Sequence, residues 1–243
     1  MALPIPKRRL EHHPQHPENE QAAEPGWMRD VMLGLNDGLV ASFAVTSGVA
    51  AAFSVARVVV MAGIAEMLGG GISMGAAAFI SSRSQLEFYH SEIARERDEM
   101  ARWPERERDE VRAIYRNKGF SGRLLDEIVA HITADPERWS DVMMREELGL
   151  HHEHLEVPHR SALRVGISYL LGAAIPIIPY TILAPSVAVM VSAFVTIAAL
   201  FAVGALKTIL TSRSWWRSGL ESLAVGVAAA IVTYGAGWIF GGR

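Results

Sequence analysis

The sequence predicts an all-α polytopic membrane protein: five transmembrane helices, with a helical domain inserted between the second and the third. Three observations carry this expectation. Half of the 243 residues are hydrophobic and a fifth are charged, so the two kinds must be segregated along the chain. Five apolar stretches, at about 31–53, 58–82, 161–182, 186–206 and 218–240, reach the roughly 18 residues a helix needs to cross ~30 Å of hydrocarbon. The charged residues gather in one block, about 83–160, that lacks the alternation of a strand.

Residues 1–25 are polar and proline-rich and read as a disordered tail, with His12, His13 and His16 solvated within it. The tail has no apolar core of about 7 to 15 residues, so it does not read as a cleaved secretory signal, and the first span is expected to act as the insertion signal. Residues 26–82 hold the first two spans. Gly34 and Gly38 in one, Gly71 and Gly75 in the other, repeat at the four-residue spacing that lets helix backbones approach closely in lipid. No strong breaker follows until Pro104, so one helix is expected from about 58 to 102, projecting ~30 Å beyond the bilayer.

Within the 83–160 domain, Pro104 opens the next helix, and Gly119 followed by Ser121 marks a stop and a start. Asp135 and Pro136 supply a cap and a first-turn proline for a helix running to about Leu148 and ended by Gly149. Residues 161–243 carry spans three to five. Pro176 and Pro179 are expected to break or bend the third, as befits a helix lining or flanking a cavity.

Lys and Arg accumulate on the cytoplasmic side of short membrane loops. With the N-terminus inside, only Arg57 and Arg243 fall outside, while Lys7, Arg8, Arg9, Arg29, Lys207, Arg213 and Arg217 all fall inside. The N-terminus and the 83–160 domain are therefore expected in the cytoplasm, and the plasma (inner) membrane is the expected location if the chain is bacterial. A formal net charge of -3 gives no reason to expect a nucleic-acid partner. The absence of cysteine removes disulfides and thiolate metal sites, leaving carboxylate, imidazole and thioether ligands.

The chemistry-bearing residues inside the apolar stretches are Asp30, Asn36, Asp37, Glu66 and Met74. An ionisable group within a spanning helix costs roughly 3 kcal/mol on insertion scales, so such residues tend to face a pathway or a partner. Asp30 lies at the cytoplasmic edge beside Arg29, where a hydrated ion pair is the expected state. Asp37 lies two turns further in on nearly the same face. Antiparallel pairing of spans one and two is expected to bring Met74 near the depth of Asp37, and a carboxylate with a thioether suits a borderline-soft ion such as Fe²⁺ better than Ca²⁺ or Mg²⁺. In the charged block, Glu92, Glu96 and Glu99 share one helix face, Glu107 and Glu110 repeat on the next helix, and Met143, Met144, Glu146 and Glu147 cluster on the last. Acids converging from neighbouring helices are how bundles build metal sites. The interleaved Arg95, Arg97, Arg102, Arg106 and Arg108 allow the other outcome, a solvated surface laced with ion pairs. His151, His152 and His154 are either further ligands or a helix end.

Five segments in order, RDVMLGLNDGLV (29–40), AGIAEMLGGGISMGAAAFISSRSQ (62–85), the Pro104 block with Glu107 and Glu110, MMREELGL (143–150) and GAAIPIIPY (172–180), resemble the vacuolar iron transporter family. The resemblance implies a homodimer of five-span subunits exchanging Fe²⁺, and often Mn²⁺, for protons, with a cytoplasmic metal-gathering domain. It implies Asp37 and Met74 as pathway ligands, Asp30 and Glu66 as accompanying carboxylates, and Glu96, Glu99, Glu107, Glu110, Met143, Met144 and Glu147 as domain ligands. Glu92 and Glu146 remain adjacent candidates.

The expected function is export of a divalent metal from the cytosol by proton antiport, with Fe²⁺ first, then Mn²⁺, Co²⁺ and Zn²⁺, and no tightly bound cofactor. A membrane-anchored metal buffer or sensor is the alternative. An enzyme is not expected: no His or Cys lies in any span to assist an intramembrane serine or metal.

Overall fold

The computed structural model describes residues 26–150, 155–206, 208 and 214–240. The helices are α1 (Gly26–Ala52), α2 (Ala56–Arg102), α3 (Pro104–Asn117), α4 (Gly122–Thr133), α5 (Pro136–Val142), a π-helical turn (Met143–Glu147), α6 (Pro158–Ile182), α7 (Pro185–Leu206) and α8 (Trp215–Phe240). No strand occurs among the described residues. Five of these helices, α1, α2, α6, α7 and α8, are long and apolar enough to cross a membrane. Their outer faces present Ile72, Met190, Phe194, Ile231 and Val232, each largely exposed, as expected where lipid rather than water is the solvent.

The glycine pairs find their use against α6. A Cβ at Gly34 would sit 2.4 Å from the Val165 carbonyl oxygen, and one at Gly38 would sit 2.2 Å from that of Tyr169. On the other side, Gly71 abuts Leu170 and Gly75 abuts Ala162. The missing side chains let α6 approach the backbones of both first helices, where packing and interhelical hydrogen bonds replace the hydrophobic drive lost in lipid.

Of the two expected outcomes for Pro176 and Pro179, a break does not occur: α6 is one helix from Pro158 to Ile182 with both prolines inside it. Serines from its neighbours serve the stretch that the prolines loosen. Ser42 of α1 donates to the Ala173 carbonyl at 2.8 Å, and Ser192 of α7 donates to the Pro176 carbonyl at 2.8 Å. Such interhelical hydroxyl bonds tie α6 to its neighbours at membrane depth.

The second helix is continuous over 47 residues, about 70 Å at 1.5 Å per residue. Its buried residues Gly75, Ser82, Tyr89 and Glu96 recur every seventh position, so one face runs from the α6 contact into the charged block. There it joins α3, α4, α5 and the π turn around a separate core of Met100, Val111, Leu125, Val129, Ile132, Trp139 and Met143. Pro104 opens α3 and Ser121 precedes α4. The Asp135 side chain accepts hydrogen bonds from the backbone N–H groups of Glu137 and Arg138 at the start of α5. The last helix differs from its expected form: α geometry ends at Val142, and residues 143–147 widen into a π turn before Gly149, at φ +63°, ends it.

Candidate functional site

Two groups of carboxylates stand out, one in the helical block and one among the apolar helices. In the block, one oxygen from each of Glu96, Glu99 and Glu107 lies within 4.8 Å of the other two, close to the spread of oxygens held about 2.0–2.6 Å from a shared divalent ion. Glu96 arrives on the buried seam of α2, and Glu107 occupies the first turn of α3 directly after the Pro104 reversal. Both are almost fully buried, and Glu96 Oε1 and Glu107 Oε2 lack a hydrogen-bond partner among the described residues. Unpartnered buried carboxylate oxygens are costly unless a proton or a cation meets them.

The electrostatics express that cost. Burial, then the neighbouring charges of Glu147, Glu107 and Glu99, push the Glu96 carboxyl up to about 8. Glu107 is raised by burial and Glu110, and approaches Glu96 closely enough for the two to share a proton. Glu147 is raised by burial and by Glu110, Glu107 and Glu99. Glu110 and Glu147 therefore lie within electrostatic range of these acids, and Glu110 also pairs with Arg106 at 3.2 Å. The π turn helps to place Glu147, because widening the helix re-aims consecutive side chains. Met143 and Met144 are buried at its start, Met143 as part of the block's core.

Two neighbouring candidates are engaged elsewhere. Glu92 pairs with Arg95 at 2.6 Å and Glu146 with Lys118 at 2.5 Å. The salt-bridged surface weighed against a metal site is present as well, on the outer face, where Arg102–Asp98, Arg108–Glu105, Arg123–Glu127 and Arg145–Asp141 pair along their own helices. Both patterns coexist because the acids divide between an inward and an outward face. His151, His152, His154 and the histidines of the N-terminal tail lie outside the described residues.

Among the apolar helices, Asp30 is not the hydrated ion pair expected of it. Its side chain is 3% exposed, with Arg29 at 3.9 Å and Arg164 of α6 closer at 3.5 Å. Arg164 in turn holds Glu156 at 2.8 Å. Packing against α6 also sets the surroundings of Asp37. Gly38, its neighbour, meets α6 at Tyr169, whereas Gly75, next to Met74, meets α6 at Ala162, two turns nearer the start of that helix. Along α6, the turn of α2 that carries Met74 lies toward Ala162 and Gly166, and the turn that carries Glu66 lies between the Tyr169 and Ile177 contacts of Gly70 and Gly63. Asp37 lies within electrostatic range of Glu66 and of Tyr169, whose phenol donates a hydrogen bond to Glu66 Oε1. The Asn36 side-chain oxygen is buried without a hydrogen-bond partner among the described residues.

Sequence reasoning missed Arg164, Tyr169 and Gly70. A phenol within an apolar span is itself a signal, since a buried tyrosine hydroxyl usually finds a partner. Its partner lies 103 positions away, beyond the reach of any local pattern.

Comparison with known proteins agrees with this architecture. Residues 28–238 match the model of the VIT family. Vacuolar iron transporter 1 of Arabidopsis thaliana is 34% identical over 208 residues, covering 85% of this chain and 83% of its own length. Its namesake in Oryza sativa subsp. japonica is 31% identical over 235 residues, covering 96% and 93%. Protein CCC1 of Saccharomyces cerevisiae is 29% identical over 230 residues, covering 90% and 70%. The plant relatives are named as transporters, in keeping with the expectation that the protein is not an enzyme. With five apolar helices and a match spanning nearly the whole described chain, this multi-pass membrane protein belongs to the VIT family.

Proposed function

We propose that this chain transports Fe²⁺, and Mn²⁺ as a second cargo, out of the cytosol in exchange for protons, as a homodimer. The observation that carries the proposal is the placement of two kinds of carboxylate on one helix: Glu66 among the apolar helices and Glu96 in the acidic cluster, both on α2. The names of the plant relatives support iron as cargo.

In this reading the helical block is cytoplasmic, as the distribution of Lys and Arg favours. Glu96, Glu99 and Glu107, with Glu110, Glu147 and the adjacent Met143 and Met144, collect the ion. It passes to Asp30 and Met74, then to Asp37 and Glu66, and leaves on the far side. Arg164 neutralises Asp30 until a cation replaces it. Proton coupling follows from competition, because a carboxylate oxygen in a low-dielectric pathway holds either a proton or the metal.

The test is uptake into proteoliposomes of Fe²⁺, Mn²⁺, Co²⁺ and Zn²⁺, with and without a pH gradient. Gradient-driven uptake is expected for Fe²⁺ and Mn²⁺. Rates indifferent to the gradient would remove antiport, and bound metal without flux would leave a membrane-anchored buffer or sensor. Cross-linking in native membranes tests the dimer.

A further inference from the structure

Tyr169 does more than fill space between α2 and α6. Its side chain is 2% exposed, and its hydroxyl donates to Glu66 Oε1. Gly70, one turn along α2 from Glu66, makes room for this: a Cβ there would sit 2.2 Å from Tyr169 Oη and 2.4 Å from its Cζ. The second oxygen, Glu66 Oε2, is buried without a hydrogen-bond partner among the described residues. Asp37 lies within electrostatic range of both side chains.

A carboxylate with one oxygen engaged by a phenol offers the other as a single ligand. That distinction matters between cations. Ca²⁺ gathers 6–8 oxygens and readily uses carboxylates in two-oxygen fashion, whereas smaller divalent ions are satisfied by fewer and better directed ligands. From this geometry we propose that Tyr169 is a specificity-determining positioning residue, holding Glu66 in one-oxygen mode and so favouring a small transition-metal ion over Ca²⁺. The proposal rests on Asp37 and Glu66 lying in the transport pathway.

The experiment measures Mn²⁺ uptake by reconstituted full-length protein in the presence of increasing Ca²⁺. Tyr169→Phe keeps the ring in the Gly70 cradle and removes only the donor. It is expected to make Ca²⁺ about tenfold more effective as a competitor, the scale of one hydrogen bond to a charged group, and to raise KM for Mn²⁺ more than it lowers kcat. Gly70→Ala, which forces the phenol away, is expected to shift selectivity in the same direction, and stands in if the phenylalanine variant folds poorly. Unchanged Ca²⁺ competition in Tyr169→Phe, or equal losses for Mn²⁺ and Ca²⁺, would overturn the proposal. Glu66→Gln separates the two levels of inference. Wild-type uptake in that variant would remove the pathway assignment and this proposal with it, whereas impaired uptake there with unchanged selectivity in Tyr169→Phe would remove the proposal alone.

Discussion

The acids of the helical block and the acids among the apolar helices solve the same electrostatic problem in opposite ways. In the block, Glu96, Glu99 and Glu107 face one another, burial and the neighbouring acids raise the affinity of Glu96 for a proton, and the nearby Arg and Lys side chains are directed to Glu92, Glu110 and Glu146. Among the apolar helices each of two carboxylates has a partner that is not an acid: Arg164 for Asp30 and Tyr169 for Glu66. Like charges held together attract a divalent ion and retain it. Carboxylates with individual partners can exchange the partner for an ion and then release it. Collection and passage thus call for different surroundings of the same functional group.

The sharpest way to break this comparison is Asp37→Ala. Uptake is expected to fall at least a hundredfold, while Co²⁺ binding to the block, followed by calorimetry, stays within about twofold of wild type, since distant sites act independently. Loss of both activities would mean that the two regions are a single site. Next, Glu96→Gln or Glu107→Gln is expected to weaken Co²⁺ binding by ten- to a hundredfold, on the scale set by removing a charged ligand beside others, with uptake reduced several-fold but not abolished.

A pH series tests the mutual repulsion directly. Burial and neighbouring acids hold the Glu96 carboxyl up to about 8, against an ordinary value of 4.5. A group raised in this way contributes stability that is complete below pH 4.5 and is lost as pH rises through about 8. Chelator-treated protein is therefore expected to melt at lower temperature at pH 8.5 than at pH 6, and Mn²⁺ is expected to restore more at the higher pH, where fewer protons compete. A melting temperature that rises with pH without metal would contradict the arrangement. The smallest effects belong to Glu92→Gln and Glu146→Gln, each expected to leave Co²⁺ affinity within about twofold, because exposed or partly exposed ion pairs contribute little.

The elements were legible because their signals are local. Apolar runs long enough to cross lipid, the Pro104 reversal and the Asp135 cap all act within a few residues of themselves, and they located every helix to within a few positions. Glu92, Glu96 and Glu99 were legible as the face of one helix, and Glu107 with Glu110 as that of the next, for the same reason. Their convergence was not, because the same interleaved arginines fit either outcome until the helices pack. The register of α1 against α2 was not legible, since α6, far along the chain, packs against both through Gly38 and Gly75. Arg164 and Tyr169 were invisible for a related reason: each matters only through an acid on another helix.

The unbroken α2 has a mechanical consequence. Glu66 and Glu96 are separated by about 45 Å along one rod at 1.5 Å per residue, with no hinge between them to absorb a twist. Any turn of that rod about its own axis would rotate Glu66 and Glu96 through the same angle. Under the proposed function, torque applied at the acidic cluster would be delivered to Glu66, as through a drive shaft.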